Sequence, residues 1–195
     1  MICGIVLAAG LGRRIGTPKA FLSLDGRTFL ERAVAALSGA GLEVVVVMNP
    51  GVSDAVPTAG FPGHRVVNPD PDAENGMFGS VRLGVAEALG LGASGALLLP
   101  VDLPLVTSED VRAVLARLGT GAEVVVATHG GRRGHPIGIS RAVMDEIVEA
   151  PPTATLRDIV RRDPARVVEV PVSRGAVMGV NTKEDLERVS NRTFR

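Results

Sequence analysis

The chain has no tryptophan and no tyrosine; its aromatic residues are five phenylalanines in 195 positions. Surfaces that hold single-stranded nucleic acid stack its bases on aromatic rings, so that class of partner is excluded. An excess of one charge is missing too, because 21 Lys+Arg balance 21 Asp+Glu. Zero net charge gives no broad footprint for a nucleic acid or an anionic membrane surface. The lone cysteine, Cys3, cannot close an internal disulfide, which fits a reducing compartment. It lies in an apolar run and reads as a packed residue. No uninterrupted apolar stretch reaches the roughly 18 residues of a membrane span, and the N-terminus lacks the basic segment and long apolar core of a signal peptide. The expectation is a soluble cytoplasmic protein with neither a nucleic-acid nor a membrane partner. No linker, repeat or low-complexity tract interrupts residues 1–195, which read as one domain.

What the chain does have is a repeating order of short apolar runs and helical patterns. The runs are Ile2–Leu7, Val44–Met48, Arg65–Val67, Ala96–Leu99, Glu123–Ala127 and Val167–Val172. They are mostly continuous rather than alternating, as in strands covered on both faces. Apolar residues at helical spacing mark Thr28–Leu37, Met77–Leu89 and Ser108–Leu118; Thr153–Arg162 reads as a further helix, and another starts at Thr182. This alternation predicts an α/β fold, a three-layer α/β/α sandwich around a Rossmann-like, mostly parallel sheet. In such sheets ligands bind beyond the carboxyl ends of the strands.

The first of those ends carries Leu7-Ala-Ala-Gly-Leu-Gly-Arg-Arg-Ile-Gly-Thr-Pro-Lys19. Gly10, Gly12 and Gly16 do not fit the G-x-G-x-x-G dinucleotide fingerprint, and Thr17 and Pro18 separate Gly16 from Lys19, which rules out a Walker loop. Glycine amides approach a ligand closely, and Arg14 and Lys19 add positive charge, so the loop suits a polyphosphate. The second signal is Asp102, which follows the run ending at Leu99 and is flanked by Pro100 and Pro104. Proline stops the ladder, leaving a rigid carboxylate suited to Mg²⁺, which takes one or two carboxylates plus substrate phosphates; a turn aspartate bonding its own backbone is the alternative.

Three weaker signals follow. Asn68 opens a turn-rich loop that runs into Gly76, Met77 and Ser80, where Ser80 either meets a ligand or caps a helix. Gly130–Gly138 reads as a glycine-rich loop carrying Arg132, Arg133 and His135, and a plain surface loop has the same composition. Asn181 precedes the helix start at Thr182 as a polar ligand or as a turn residue. No Ser-His-Asp or Cys-His arrangement stands out.

These residues resemble the MobA-like nucleotidyltransferases, whose signature is L-A-A-G-x-G-x-R-M-G-x-P-K, here with Ile15 for the usual Met. The molybdenum cofactor cytidylyltransferases are the most similar branch, through Gly76-Met-x-x-Ser80, Asp102-Leu-Pro104, Gly134-His-Pro136 and Asn181-Thr-x-Glu-Asp-Leu186. The resemblance implies the nucleotide-diphospho-sugar transferase fold. It implies nucleotide contacts from Leu7, Ala8, Ala9, Gly10, Gly12, Lys19, Asn68, Gly76 and Ser80, with Arg14 and Lys19 at the phosphates. Asp102 and Asn181 become the Mg²⁺ ligands, and His135 with Arg133 faces the acceptor. Gly179 departs from the pattern, which has an acid there. The expected reaction moves NMP from an NTP, CTP favoured, onto a phosphate-bearing acceptor such as molybdopterin and releases pyrophosphate. Guanylyl transfer is the nearest alternative; a non-catalytic nucleotide-binding module and a pterin-cofactor carrier are alternatives of other classes. A molybdoenzyme or chaperone partner is a further implication.

Overall fold

Strand β1 (Ile2–Ala8) shows why the apolar runs are continuous. Cys3, Ile5 and Leu7 enter the core on one face of the sheet, and Val6 and Ala8 enter the core on the other. A computed structural model describes residues 1–72 and 76–191; residues 73–75 of the turn-rich segment lie outside the described residues.

After the short hairpin β2 (Ser23–Leu24) and β3 (Arg27–Thr28) come β4 (Glu43–Met48), β5 (His64–Val67), β6 (Gly95–Pro100), β7 (Val124–His129), β8 (Arg132–Ser140) and β9 (Val167–Pro171). Seven strands form one sheet in the order β5-β4-β1-β6-β8-β7-β9. All pairings are parallel except those of β8, which runs antiparallel to both β6 and β7. Helices α1 (Phe29–Ser38), α2 (Pro50–Ala55), α4 (Ser108–Leu118) and α7 (Lys183–Ser190) cover one face. Helices α3 (Gly76–Gly90), α5 (Arg141–Glu149) and α6 (Leu156–Arg162) cover the other. The result is the expected three-layer sandwich. Each Val, Leu or Ile so buried contributes about 1.5–3 kcal/mol, which is why the two layers of β-branched residues dominate the sheet.

Four helices begin with a reciprocal capping box: Thr28 with Glu31, Thr107 with Asp110, Thr155 with Asp158 and Thr182 with Asp185. Each threonine oxygen accepts a backbone N–H that the helix leaves unpaired, worth about 1 kcal/mol. Among the described residues no helix is long and apolar enough to cross a membrane.

Two expectations are corrected. Gly130–Gly138 is not a loop: Gly130 and Gly131, with φ of 56° and 75°, make a tight turn, and the rest is strand β8. Glycine and proline at alternate positions hid the strand. The helix expected from Thr153 begins at Leu156, because Thr155 caps it.

Candidate active site

The loop after β1 lies at the carboxyl edge of the sheet. Leu7, Ala8 and Ala9 are buried, so this part of the chain presents backbone to the edge. The Ala9 carbonyl accepts from Asn49 Nδ2 at 3.0 Å, while Asn49 Oδ1 accepts from Val52 N at 2.9 Å. Asn49 thus caps α2 and anchors the loop together; sequence reading missed it, although an asparagine between a strand and Pro50 is a cap signal. Gly12 has φ +64°, and a Cβ there would stand 1.9 Å from the Thr17 carbonyl oxygen. That carbonyl crosses where a side chain would be, so only glycine fits. Ile15 N and Gly16 N both donate to Gly12 O at 2.9 Å, closing the turn. Gly10 is exposed, with open space on its Cβ side. Arg14 is exposed and has no side-chain hydrogen bond or ion pair among the described residues. Arg13, which the sequence reading gave no role, pairs with Asp72 from the loop after β5.

Lys19 lies 83 residues from Asp102 and 162 from Asn181, and the fold brings the three together. Its Nζ donates to Asp102 Oδ2 at 2.8 Å and to Asn181 Oδ1 at 2.7 Å. Asp102 follows β6 directly, and its carbonyl accepts from Val180 N at 2.8 Å, which ties the Asp102 turn to the segment entering α7. Asn181 N donates in turn to Asp185 Oδ2 at 3.0 Å. The lysine and aspartate side chains are 19% and 24% exposed, partly shielded from water, where charges interact more strongly than on an open surface.

A carboxylate oxygen and an amide oxygen therefore converge on a single point that a cation already occupies. Hard oxygen donors of this kind fit Mg²⁺, which takes few protein ligands and fills its shell with water and substrate phosphates. Among the described residues no cluster of three or more acidic, His or Cys side chains exists, so a metal here would take the rest of its ligands from substrate and water. At Gly179 a Cβ would meet nothing closer than Asn181 Nδ2 at 3.4 Å, an ordinary contact, so a side chain could begin there without displacing backbone.

On the α3 side of the sheet a cavity of about 510 Å³ opens between β1, α3, β8 and α6. His135 and Arg133 line it from β8. Gly134 faces the other way: a Cβ there would stand 2.0 Å from the Ala176 carbonyl oxygen. The pairing of Leu98 with Ile137 sets His135 level with Pro100, two residues before Asp102. Burial pushes the His135 imidazole down to about 4, with the Asp102 carboxylate pulling it back upward. It is therefore neutral at physiological pH, able to give or take a hydrogen bond but not to supply charge. Arg133 donates from Nε to Glu169 at 2.7 Å.

Asn68 and Ser80 are buried at 5% and 3% exposure and bond each other. Asn68 Nδ2 donates to Ser80 Oγ at 2.9 Å, and Ser80 Oγ donates to Gly76 O at 3.1 Å. Ser80 sits in the second turn of α3 and is no cap. The pair fastens the end of β5 to the start of α3, the wall beside the loop.

A sheet with one antiparallel strand, a glycine loop at the carboxyl end of its first strand and a lysine–carboxylate pair beside it define a nucleotidyltransferase of the nucleotide-diphospho-sugar transferase fold. Residues 4–167 match the MobA-like NTP transferase domain, and the chain belongs to that family. It is 30% identical over 188 residues to a molybdenum cofactor guanylyltransferase of Acidiphilium cryptum, covering 94% of this chain and 91% of the relative. A second guanylyltransferase, from Rhizobium meliloti, is 29% identical over 201 residues, covering 94% and 88%. The crystal structure of Rv0371c from Mycobacterium tuberculosis superposes with a TM-score of 0.80 at 26% identity, covering 98% of each chain. That protein has also been solved in complex with manganese, with a TM-score of 0.76 at 25% identity and coverage of 97% and 98%. Both enzyme relatives are guanylyltransferases, so the similarity favours the guanylyl alternative over the cytidylyl expectation.

Proposed function

We propose that this chain transfers GMP from GTP to the phosphate of a small acceptor, molybdopterin in the first instance, and releases pyrophosphate. The observation that carries the reading is the convergence of Lys19 on Asp102 and Asn181 beside the glycine loop. The names of the relatives support the guanine base and the acceptor. In this reading the open backbone around Gly10 and Gly12 receives the triphosphate, and Lys19 and exposed Arg14 oppose its charge. Asn68 and Ser80 hold the nucleotide wall in place through Gly76. A divalent cation, Mg²⁺ by donor chemistry, would be held by Asp102 and Asn181 and would neutralise phosphate charge when bound.

An acceptor phosphate monoester has a second pKa near about 6 and is already a nucleophile at neutral pH. The site needs no general base, and burial, which lowers the His135 pKa to about 4, makes that imidazole a weak one. Its work is positioning and charge neutralisation, the main content of phosphoryl-type catalysis. His135 then orients the acceptor by a hydrogen bond. The whole chain acts as one domain in a reducing, cytoplasmic setting, consistent with unpaired Cys3.

The test is pyrophosphate release with Mg²⁺ and molybdopterin, comparing GTP, CTP, ATP and UTP. Release with GTP at least tenfold above the others is the expected result. Release with CTP alone would move the protein to the cytidylyl branch that the Gly-Met-x-x-Ser and Gly-His-Pro elements resemble. Nucleotide binding without turnover with any of the four would overturn molybdopterin as the acceptor and leave a different acceptor or a non-catalytic binding module.

A further inference from the structure

The two oxygens suited to a divalent cation are bonded to a cation of the protein's own. Lys19 Nζ stands 2.8 Å from Asp102 Oδ2 and 2.7 Å from Asn181 Oδ1. Asp102 is the carboxylate with which Lys19 pairs, and the two side chains are 19% and 24% exposed. The third ammonium donor has no partner among the described residues. Lysine and aspartate thus satisfy each other in a partly shielded place, where opposite charges hold more firmly than on an open surface.

Such a pair opposes a metal that arrives alone. Two protein oxygens are a small share of the shell of Mg²⁺, which takes the rest from water and substrate phosphates. To reach them the ion must drive off the ammonium and leave it beside a doubly charged neighbour. A polyphosphate removes both obstacles, because its oxygens offer the ammonium a new partner and the metal its remaining ligands. The backbone suits that exchange. Ala20 is buried at 1% exposure, and a Cβ at Gly12 would lie 3.1 Å from Pro18 Cα. The root of Lys19 is therefore packed beside the glycine loop, and only its flexible four-carbon stem has to move.

We propose that Lys19 competes with the metal for one position. It keeps a divalent cation off Asp102 and Asn181 until a polyphosphate draws the ammonium away, so that cation and polyphosphate enter the site as a pair. The proposal rests on the nucleotidyl-transfer reading only for taking the polyphosphate to be that of an NTP; the competition follows from the two shared oxygens. By linkage the exchange is reciprocal, and whatever the polyphosphate adds to metal affinity the metal adds to polyphosphate affinity. Lys19 thereby acts before the reaction, by setting which combinations of ligands the site accepts.

The test measures metal binding without nucleotide. Mn²⁺ is the probe, because it suits the same oxygen donors as Mg²⁺ and its unbound fraction is read by electron paramagnetic resonance. The native chain, Lys19→Met, Arg14→Met and the double variant Lys19→Met/Asp102→Asn are titrated at one pH and salt concentration, after thermal melts show that each is folded. Lys19→Met keeps the apolar stem and removes the ammonium, and should bind Mn²⁺ about tenfold or more tightly than the native chain. Arg14→Met removes an exposed, salt-screened charge from the same loop without freeing either oxygen, and should change the affinity by less than about threefold. The double variant should lose the gain. Calorimetry with inorganic triphosphate in EDTA reads the other half of the exchange: Lys19→Met should bind it about tenfold more weakly than the native chain.

Equal Mn²⁺ affinity in the native chain and Lys19→Met would overturn the proposal. So would an equal rise in Arg14→Met, a gain that survives Asp102→Asn, or triphosphate affinity unchanged by Lys19→Met. The two readings fail separately. If the NTP panel shows no turnover while these shifts are seen, the transferase reading falls and the competition stands. If turnover is seen while Lys19→Met leaves Mn²⁺ affinity unchanged, the transferase reading stands and the competition falls.

Discussion

The two glycine- and arginine-rich segments, Leu7–Lys19 and Gly130–Gly138, look alike in composition and do opposite work. In the first, glycines at φ +64° and +85° bend a loop whose backbone is open at Gly10, and Arg14 has no side-chain hydrogen bond or ion pair among the described residues. In the second, glycines within a strand let other backbone come close, as Gly134 does for Ala176, and Arg133 is tied to Glu169. In the proposed reading the first segment's glycines open backbone to a nucleotide; in the second, Gly134 allows the close packing on Ala176 beside His135 at the cavity. Glycine content by itself therefore says little about where a phosphate binds. What discriminates is whether the alternate residues form a face: Arg133, His135 and Ile137 all line the cavity, as period two requires.

The largest expected effect is at the point where the first segment closes on the rest of the chain. Lys19→Ala removes one partner of the 2.8 Å pair, and Asp102→Asn keeps the side chain's shape and an acceptor oxygen but removes its charge from the proposed transfer site. Each should lower turnover by about 100-fold or more, with the folded state retained by circular dichroism. Near-native turnover in either would show that the loop is not where the chemistry occurs. A rise in the acceptor KM alone would assign these residues to the cavity side instead.

A matched pair of glycine substitutions breaks the comparison most directly. In Gly12→Ala the new methyl meets the Thr17 carbonyl within the loop; in Gly134→Ala it meets the Ala176 carbonyl across the core. The first should cost roughly 100-fold in turnover through displaced phosphate contacts, with little change in melting. The second should destabilise by about 1–3 kcal/mol, lowering the melting temperature at roughly 2–4 °C per kcal/mol for a chain of this size. Thermal melts and initial rates on both variants check this. If Gly12→Ala melts early and Gly134→Ala does not, the two roles are exchanged.

Much of this architecture was legible in the sequence because the signals were local. Short, β-branched Val and Leu runs bounded by turn formers read as doubly covered strands, and Thr107, Thr182 and their acids announce helix starts. The loop, Asp102 and Asn181 were legible as separate candidates, each at a strand or helix end. What the sequence did not carry is their convergence on one ammonium group, since separations of 83 and 162 residues are bridged by sheet order alone. Strand β8 was hidden because Gly134, Pro136 and Gly138 lack the β-branched side chains that mark strands. The internal pairing of Asn68 with Ser80 was likewise invisible, because either side chain suits a ligand equally well until its partner is known.

The smallest effect sharpens the cavity side. The His135 imidazole falls from 6.5 to about 4 in the folded protein because burial disfavours its charged form. Between those values the unfolded chain holds a proton that the native chain refuses, so stability is lost as pH falls from about 6.5 towards 4 and is fully present above that window. The slope from one such group is at most about 1.4 kcal/mol per pH unit. His135→Gln keeps a polar side chain without this titration, so its urea midpoint, measured with EDTA present to keep metal off Asp102, should parallel the native curve above pH 7 and fall less steeply below pH 6. Turnover should behave differently. Its acid limb follows protonation of the acceptor phosphate near about pH 6, which the substitution leaves in place. Parallel stability curves down to pH 4 would mean that the imidazole is already solvated, and the cavity wall at His135 would then be open to water.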